Sequence, residues 1–262
     1  MNSFNHKQLK VSIITVTLNS SDFLIDCLKS VKSQSYKNIE HIIIDGGSTD
    51  KTLSILQARK KDLSVIISSK DKGIYDAMNK GIKLATGDII GFLNSDDFYP
   101  NKDVILKVVN HFKNNCMYKI YYADLIYVDR FNISKNIRYV KSQKYRYGLF
   151  SKGWSPPHPT FFVLNSVYKH LGNFNISYRF ASDFDLMLRF LEKYKIRSQY
   201  IPDVLVKMRM GGLTNKSLKN IWLQNKEIIK SLSEHGHRVN ILKFFFFKII
   251  SRLALFFDKK LK

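Results

Sequence analysis

At 262 residues with 45% apolar side chains, the chain can fill one large domain, or one domain with an appendage, which excludes a disordered chain. Lys and Arg total 43 against 21 Asp and Glu, a formal net charge of +22, so an anionic partner is expected: nucleic acid, a membrane surface or phosphorylated small molecules. Cys27 and Cys116 stand alone without metal-ligand spacing, which points to reduced thiols and excludes a disulfide framework.

The start, MNSFNHKQLK, is polar and runs directly into a strand pattern without a signal peptide, so a cytoplasmic location is expected. VSIITVTL (11–18) is β-branched and stops at Asn19-Ser20-Ser21, a strand followed by a helix cap. Phe23, Leu24, Cys27, Leu28 and Val31 then recur at helical spacing. The pattern repeats: strands are predicted at 39–45, 63–69 and 88–94, and helices at 49–61, 73–87 and 102–115. Strands alternating with helices imply parallel βαβ units, whose ligands sit at the carboxyl ends of the strands. Asn19, Asp45, residues 69–72 and residues 94–97 are therefore expected around one crevice.

After residue 117 the rhythm changes. KIYYADLIYVDR reads as a strand opening an antiparallel section, residues 130–152 as loop or hairpin, and GWSPPHPTFFVL (153–164) as a proline-rich loop leading into a short strand or helix start. Residues 180–195 read as a helix. From Lys207 onward 13 Lys and Arg face only Glu227, Glu234 and Asp258. That shift places a boundary there: a main domain over 1–206, with halves of about 10–117 and 118–206, and a basic helical appendage over 207–262.

Two adjacent carboxylates, Asp96 and Asp97, end the apolar run GDIIGFLN. Asp is a common turn residue, and Asp97 at this place is open to a capping role as well. Paired hard oxygen ligands at a crevice suit Mg²⁺ or Mn²⁺, which binds through one or two carboxylates while substrate phosphates supply further ligands. Asp45, followed by Gly46 and Gly47, sits at another strand end where a backbone can approach a flat ring or ribose. GGSTDKT lacks the glycine a phosphate loop requires before its lysine, and no GxGxxG follows any strand, so neither motif holds.

The runs VSIITVTLNS, HIIIDGGSTDKT and KDKGIYDAMNKGIKLATGDIIGFLNSDD, with FASDFDLMLR further on, together resemble a family 2 glycosyltransferase over roughly residues 10–206. Four separated motifs occur in the family's order at the expected strand ends. The resemblance implies a GT-A fold, a mainly parallel Rossmann-like α/β sheet flanked by helices. It also implies an inverting transferase using a nucleoside diphosphate sugar donor and a divalent metal, Mn²⁺ or Mg²⁺, in bacterial surface-polysaccharide synthesis. Carried over by position, Thr17, Asn19 and Asp45 line the nucleotide site, with Asp45 at the base and UDP the expected nucleotide. Asp71, Lys72 and Gly73 border nucleotide and sugar, and Asp76 and Asn79 face the same cleft. Asn94 replaces the first acid of the family's Asp-x-Asp-Asp, leaving Asp96 and Asp97 for the metal and Asp96 for the diphosphate side. Asp183 falls at the position of the base, with Ser182 where relatives carry Glu. A helix cap is the competing reading of Ser182, Asp183 and Asp185. His158 falls near the acceptor or diphosphate, and Trp154 is placed to stack on a sugar.

Residues 243–262, KFFFFKIISRLALFFDKKLK, set Phe245, Phe246, Ile249, Leu253, Phe256 and Phe257 against Lys248, Arg252 and Lys259. The stretch is too short for a span, which needs ~20 apolar residues. It reads as an amphipathic helix drawn to an anionic membrane, peripheral on the inner face, where a saccharide or lipid-linked saccharide acceptor is implied by the resemblance. Packing on the main domain or on a dimer partner is the other reading, and the oligomeric state is not fixed. Two rival readings lack their motifs. A nucleotidyltransferase needs a Gly-rich basic loop after its first strand, where TLNSSDF stands, and a nucleic-acid binder needs motifs that are absent, so no nucleic acid partner is expected.

Overall fold

The computed structural model describes residues 8–211, 217–242 and 244–248. Strand β1 (Val11–Thr17) is buried at every position and lies between β2 (Ile39–Asp45) and β4 (Ile89–Phe92), both parallel to it. Both of its faces must then be apolar, which is why it reads as a continuous β-branched run. β3 (Val65–Ser68) forms the edge beyond β2. Helices α1 (Leu24–Lys32), α2 (Thr52–Ala58), α3 (Ile74–Leu84) and α4 (Val104–Asn114) follow β1, β2, β3 and β4. Each turns a regular apolar face inward: on α1 it is Leu24, Cys27, Leu28 and Val31, on α3 Tyr75, Ala77, Met78, Gly81 and Ile82.

The second half adds β5 (Ile120–Val128), β6 (Asn136–Val140), β7 (Phe162–Leu164), α5 (Asn165–Leu171), α6 (Ser182–Leu188), β8 (Ser198–Arg209) and α7 (Leu218–Glu234). One eight-stranded sheet results, in the order β3-β2-β1-β4-β7-β5-β6 with β8 on β5. β7 is antiparallel to both β4 and β5, and β5 is parallel to β8. Two reversals restore the direction, so β5 and β8 run with β1–β4. The carboxyl ends of all six lie on one rim, at Thr17, Asp45, Ser68, Phe92, Val128 and Arg209. Residues 130–152 supply the hairpin strand β6.

Two expectations are corrected here. The boundary at 206/207 falls inside β8, whose Lys207 exchanges backbone hydrogen bonds of 2.9 and 3.1 Å with Phe98. The basic composition misleads because Lys207 is half-buried and Arg209 buried, both in a strand that shares the sheet. Nor does the helix at Ser182 open on its own side chains: neither Ser182 nor Asp183 caps it. Glu227 of α7 accepts the N–H groups of Arg179, Phe180 and Ala181 at 3.0, 2.7 and 2.9 Å. Asp185 is buried and accepts from the Ser231 hydroxyl at 2.8 Å, with His235 Nε2 at 3.0 Å. Ile228, Leu232 and Phe244 belong to the main core cluster, so this part of the expected appendage packs on the domain. The rest of the amphipathic stretch, residue 243 and residues 249–262, lies outside the described residues.

Candidate active site

Thr17 and Asp45 are register partners at the ends of β1 and β2. Thr17 Oγ1 is buried without a hydrogen-bond partner. Asn19 takes a left-handed backbone (φ 50°), which lets its side-chain oxygen accept the Thr49 N–H at 2.9 Å while its own N–H donates to Ser48 Oγ at 2.8 Å. Asp45 is fully buried. Its carboxylate accepts from the N–H groups of Gly47 (3.1 Å) and Ser48 (3.0 Å) and from the hydroxyls of Ser68 (2.6 Å) and Ser48. Asp45 therefore organises the Gly46-Gly47 loop in this structure.

The loop after β3 packs against that one: a Cβ on Gly46 would lie 3.1 Å from Asp71 Oδ2. Asp71 pairs closely with the Lys80 ammonium, which also lies 3.6 Å from Asp76. These bonds, the one to Asp71 foremost, raise the Lys80 pKa. Lys80 was not singled out from sequence, although its spacing of four from Asp76 on a helix was a usable signal. Lys72 is exposed and its N–H donates to Asp76 at 3.0 Å; Gly73 takes φ 122°, open to few other residues. The Asn79 amide donates to the Phe174 carbonyl and accepts the Phe174 N–H, both at 2.9 Å, so its polar atoms pin the loop that carries Phe174.

At the end of β4, Asn94 Nδ2 donates to Asp97 Oδ2 at 2.9 Å, while Asp97 Oδ1 is buried with no partner. Burial first, then repulsion from Asp96, push the Asp97 carboxyl well above the usual carboxylate range, against the pull of Asn94 and Arg209. Asp96 is half-buried beside it. Ser95 Oγ and Ser20 Oγ, 2.9 Å apart, tie this turn to the loop after β1. The residue that sequence reasoning missed here is Arg209. It is buried at the end of β8 between the rings of Phe23 and Phe98 (5.0 and 5.1 Å), and donates to the Asp96 carbonyl (2.7 Å), Asp26 (2.5 Å) and the Arg130 carbonyl (3.1 Å).

Asp183, at the start of α6, receives the Tyr75 hydroxyl at 3.1 Å. Tyr75 lies in the first turn of α3, at the carboxyl-end rim, so Asp183 is on that rim too. An aromatic wall links it to the Asp96–Asp97 turn: Tyr75 stacks on Phe174 (5.5 Å), Phe174 meets Phe92 (5.4 Å) and His158 (5.5 Å), and Phe92 precedes Asn94 by two residues. His158 is buried with Nε2 unpartnered; burial lowers its pKa, against the opposing pull of the Asp183 charge. Trp154 is half-buried edge-on to Tyr122 (6.2 Å) and Phe150 (6.1 Å), which makes it a wall of the core and not a free stacking platform.

Among the described residues no group of three or more His, Cys, Asp or Glu could hold a metal. The fit rests on Asp96 and Asp97 alone. An unpartnered buried oxygen in a like-charge pair is what a divalent cation completes, provided a diphosphate supplies other ligands.

A doubly covered sheet with polar loops gathered at the carboxyl ends of its strands is the architecture of an α/β ligand-binding enzyme. The model of the family described as Glycosyl transferase family 2 matches residues 12–173, and the chain belongs to that family of glycosyltransferases. A curated relative, the PGL/p-HBAD biosynthesis glycosyltransferase of Mycobacterium bovis, is 31% identical over 225 residues, 84% of this chain and 83% of the relative. The structure of S. aureus TarS is similar with a TM-score of 0.65 at 18% identity, over 96% of this chain and 44% of TarS, so the chain spans under half of that protein. The mannosyltransferase PcManGT from Pyrobaculum calidifontis, solved with GDP-Man and Mn²⁺, gives 0.62 at 16% identity over 96% of this chain and 82% of its own. At these identities the structures show a shared GT-A fold.

Proposed function

We propose that the chain moves a sugar, with inversion, from a UDP-linked donor to a hydroxyl of a saccharide or lipid-linked saccharide acceptor in polysaccharide biosynthesis. The observation that carries this reading is the placement of Asp183, oriented by Tyr75, on the same rim as the Asp96–Asp97 pair. Tyr75 holds one Asp183 oxygen, which leaves the other to take the acceptor proton as the hydroxyl oxygen bonds to the anomeric carbon and the bond to the diphosphate breaks. A placed carboxylate base contributes on the order of 10²–10⁴-fold to such a step. Asp96 and Asp97 would hold Mn²⁺ or Mg²⁺, which as a Lewis acid stabilises the charge of the leaving diphosphate. The buried His158, packed on Phe92 and Phe174, would shield the transfer face from water. A UDP donor is supported by the TarS structure solved with UDP-GlcNAc, similar at a TM-score of 0.63.

Thermal shift with UDP-sugars and GDP-sugars, each with and without Mn²⁺, tests donor and metal together. Stabilisation is expected only with UDP-sugar plus metal, and lost in Asp96→Ala/Asp97→Ala; stabilisation by GDP-sugars alone overturns the UDP assignment. Asp183→Asn is expected to keep this shift and lose turnover by 10²-fold or more, on the order given for a base. Wild-type turnover in that variant removes Asp183 from the role.

The acceptor side would lie at an anionic membrane. No helix among the described residues is long and apolar enough to cross one, while Phe245, Phe246 and Phe247 are exposed beside the buried Phe244. Replacing those three by Ser, with Phe244 kept as the packing anchor, should abolish cosedimentation with phosphatidylglycerol vesicles. Unchanged cosedimentation rejects this surface.

A further inference from the structure

A cavity of about 670 Å³ lies away from the transfer site. It opens at the amino ends of β5 and β8, beside Tyr118 and Ser198, whereas Asp97 and Arg209 mark the carboxyl ends of the same sheet. Its volume falls in the range of small-molecule sites, roughly 300–1,000 Å³. Tyr145 and Tyr147 supply aromatic walls, the latter largely exposed.

Polar atoms distinguish this cavity from a fold defect. Of 14 buried side-chain polar atoms without a well-aligned hydrogen bond among the described residues, four belong to residues lining it; Tyr145 OH and Glu192 Oε2 are within reach of one another and Glu192 Oε2 of His237 Nε2, which leaves Ser198 Oγ and His235 Nδ1 as the two without a partner. Three others, Thr17 Oγ1, Asp97 Oδ1 and His158 Nε2, belong to the transfer site, where a ligand is expected on separate grounds. Buried groups left unmade in this way ask for a ligand or ordered water. The four are also held in place. Glu192 has a wholly buried side chain whose Oε1 accepts the Gly148 N–H at 2.9 Å, and its Oε2 lies 3.3 Å from His237 Nε2. His235 is oriented by Asp185 at 3.0 Å. Burial, then the Glu192 charge and a hydrogen bond to that carboxylate, raise the Tyr145 pKa.

The chemistry of the lining selects the ligand. Carboxylate, imidazole and two hydroxyls offer both donors and acceptors, which suits a polyhydroxylated ring, and tyrosine faces suit the C–H face of a sugar. Lys193, Lys195 and Arg197 are exposed at the rim, whereas Glu192 is wholly buried, so a negative group is accommodated at the mouth and repelled from the floor. We infer that this cavity binds an acidic saccharide, with its ring inside and its carboxylate or phosphate on the rim cations.

The test uses the full chain without nucleotide, so its outcome does not depend on the transferase reading. A hyaluronan tetrasaccharide is titrated by calorimetry, with maltotetraose and inorganic phosphate in parallel. Saturable binding is expected for the acidic tetrasaccharide, unchanged by UDP plus Mn²⁺. Arg197→Ala and Tyr147→Ala, both at exposed positions, are expected to weaken it by about tenfold, the equivalent of about 1.4 kcal/mol. Glu192→Gln, which keeps the Gly148 bond, should weaken it without lowering the melting temperature. Absence of binding, an equal response to inorganic phosphate, or displacement by UDP each overturns the assignment.

Discussion

Arg209 shows how far a single side chain can depart from the composition around it. A guanidinium at 3% exposure carries a large desolvation cost, met here by one carboxylate, two backbone carbonyls and two aromatic faces. Its partners come from residues 26, 96 and 130, so nothing local in KMRMGG distinguishes it from a solvated lysine, and the surrounding basic run argued for the surface. For Asp45 and Asn79 the positions at a strand end and on the α3 face were legible, but not the neighbouring donors and acceptors that bond their polar atoms. Truncating Arg209 leaves the Asp96 and Arg130 carbonyls without their donor. Arg209→Met is therefore expected to lower stability in urea by about 2–4 kcal/mol. Arg209→Lys should recover little, because one ammonium does not reproduce a planar fork serving three acceptors. Full recovery by Lys would show that only the charge matters.

At the level of elements, the parallel half was legible because fully buried strands and amphipathic helices alternate in unbroken patterns from β1 to α4. β7 was legible only as a short strand or helix start after the prolines, since three residues between Pro159 and α5 leave no period to read, and its place in the sheet was not. Its place is set by shape instead. β4 and β7 approach so closely at Gly91 that an added Cβ would lie 2.6 Å from Cδ1 of the fully buried Phe162 ring. That ring has no open space to move into, being packed in the cluster of Ile13, Tyr121 and Val206. Gly91→Ala should cost about 1–3 kcal/mol, the usual penalty of overpacking. Pairing it with Phe162→Leu should cost less than the two single changes summed, because the smaller side chain vacates the contested volume. Simple additivity in a double-mutant cycle rejects this account of how β7 is seated. β8 failed for a different reason: its Lys207 and Arg209 mark a surface in most strands, and only the bridge to Phe98 and the Asp96 contact show that this end is inside.

For the whole molecule, stability should fall in acid chiefly through groups remote from the transfer rim. His41, at 4% exposure near the start of β2, has its pKa pulled by burial from the ordinary 6.5 to about 3, with its ring nitrogen 2.9 Å from Thr15 Oγ1. Burial pushes the neighbouring Glu40 up, but Lys10, Ser12 and Thr86 outweigh it and bring that carboxyl from 4.5 to about 2. Both values are lower in the folded than in the unfolded chain, so the unfolded chain binds these protons first and stability declines as pH falls. The His41 contribution is complete above about pH 6.5 and is lost progressively toward pH 3; that of Glu40 is complete above about pH 4.5 and is lost toward pH 2. Between pH 6.5 and 4, His41 alone should account for about 3 kcal/mol. His111 and His158, also lowered chiefly by burial, add to the loss with the same sign. Self-repulsion of a chain already at +22 grows as carboxylates protonate, and that part is screened by salt whereas a buried imidazole is not. Urea midpoints at pH 7, 5.5 and 4 in low and high salt separate the two: a salt-independent decline that shrinks in His41→Gln is expected. A decline abolished by salt assigns acid lability to surface charge, and a flat profile from pH 7 to 4 contradicts the buried-histidine account.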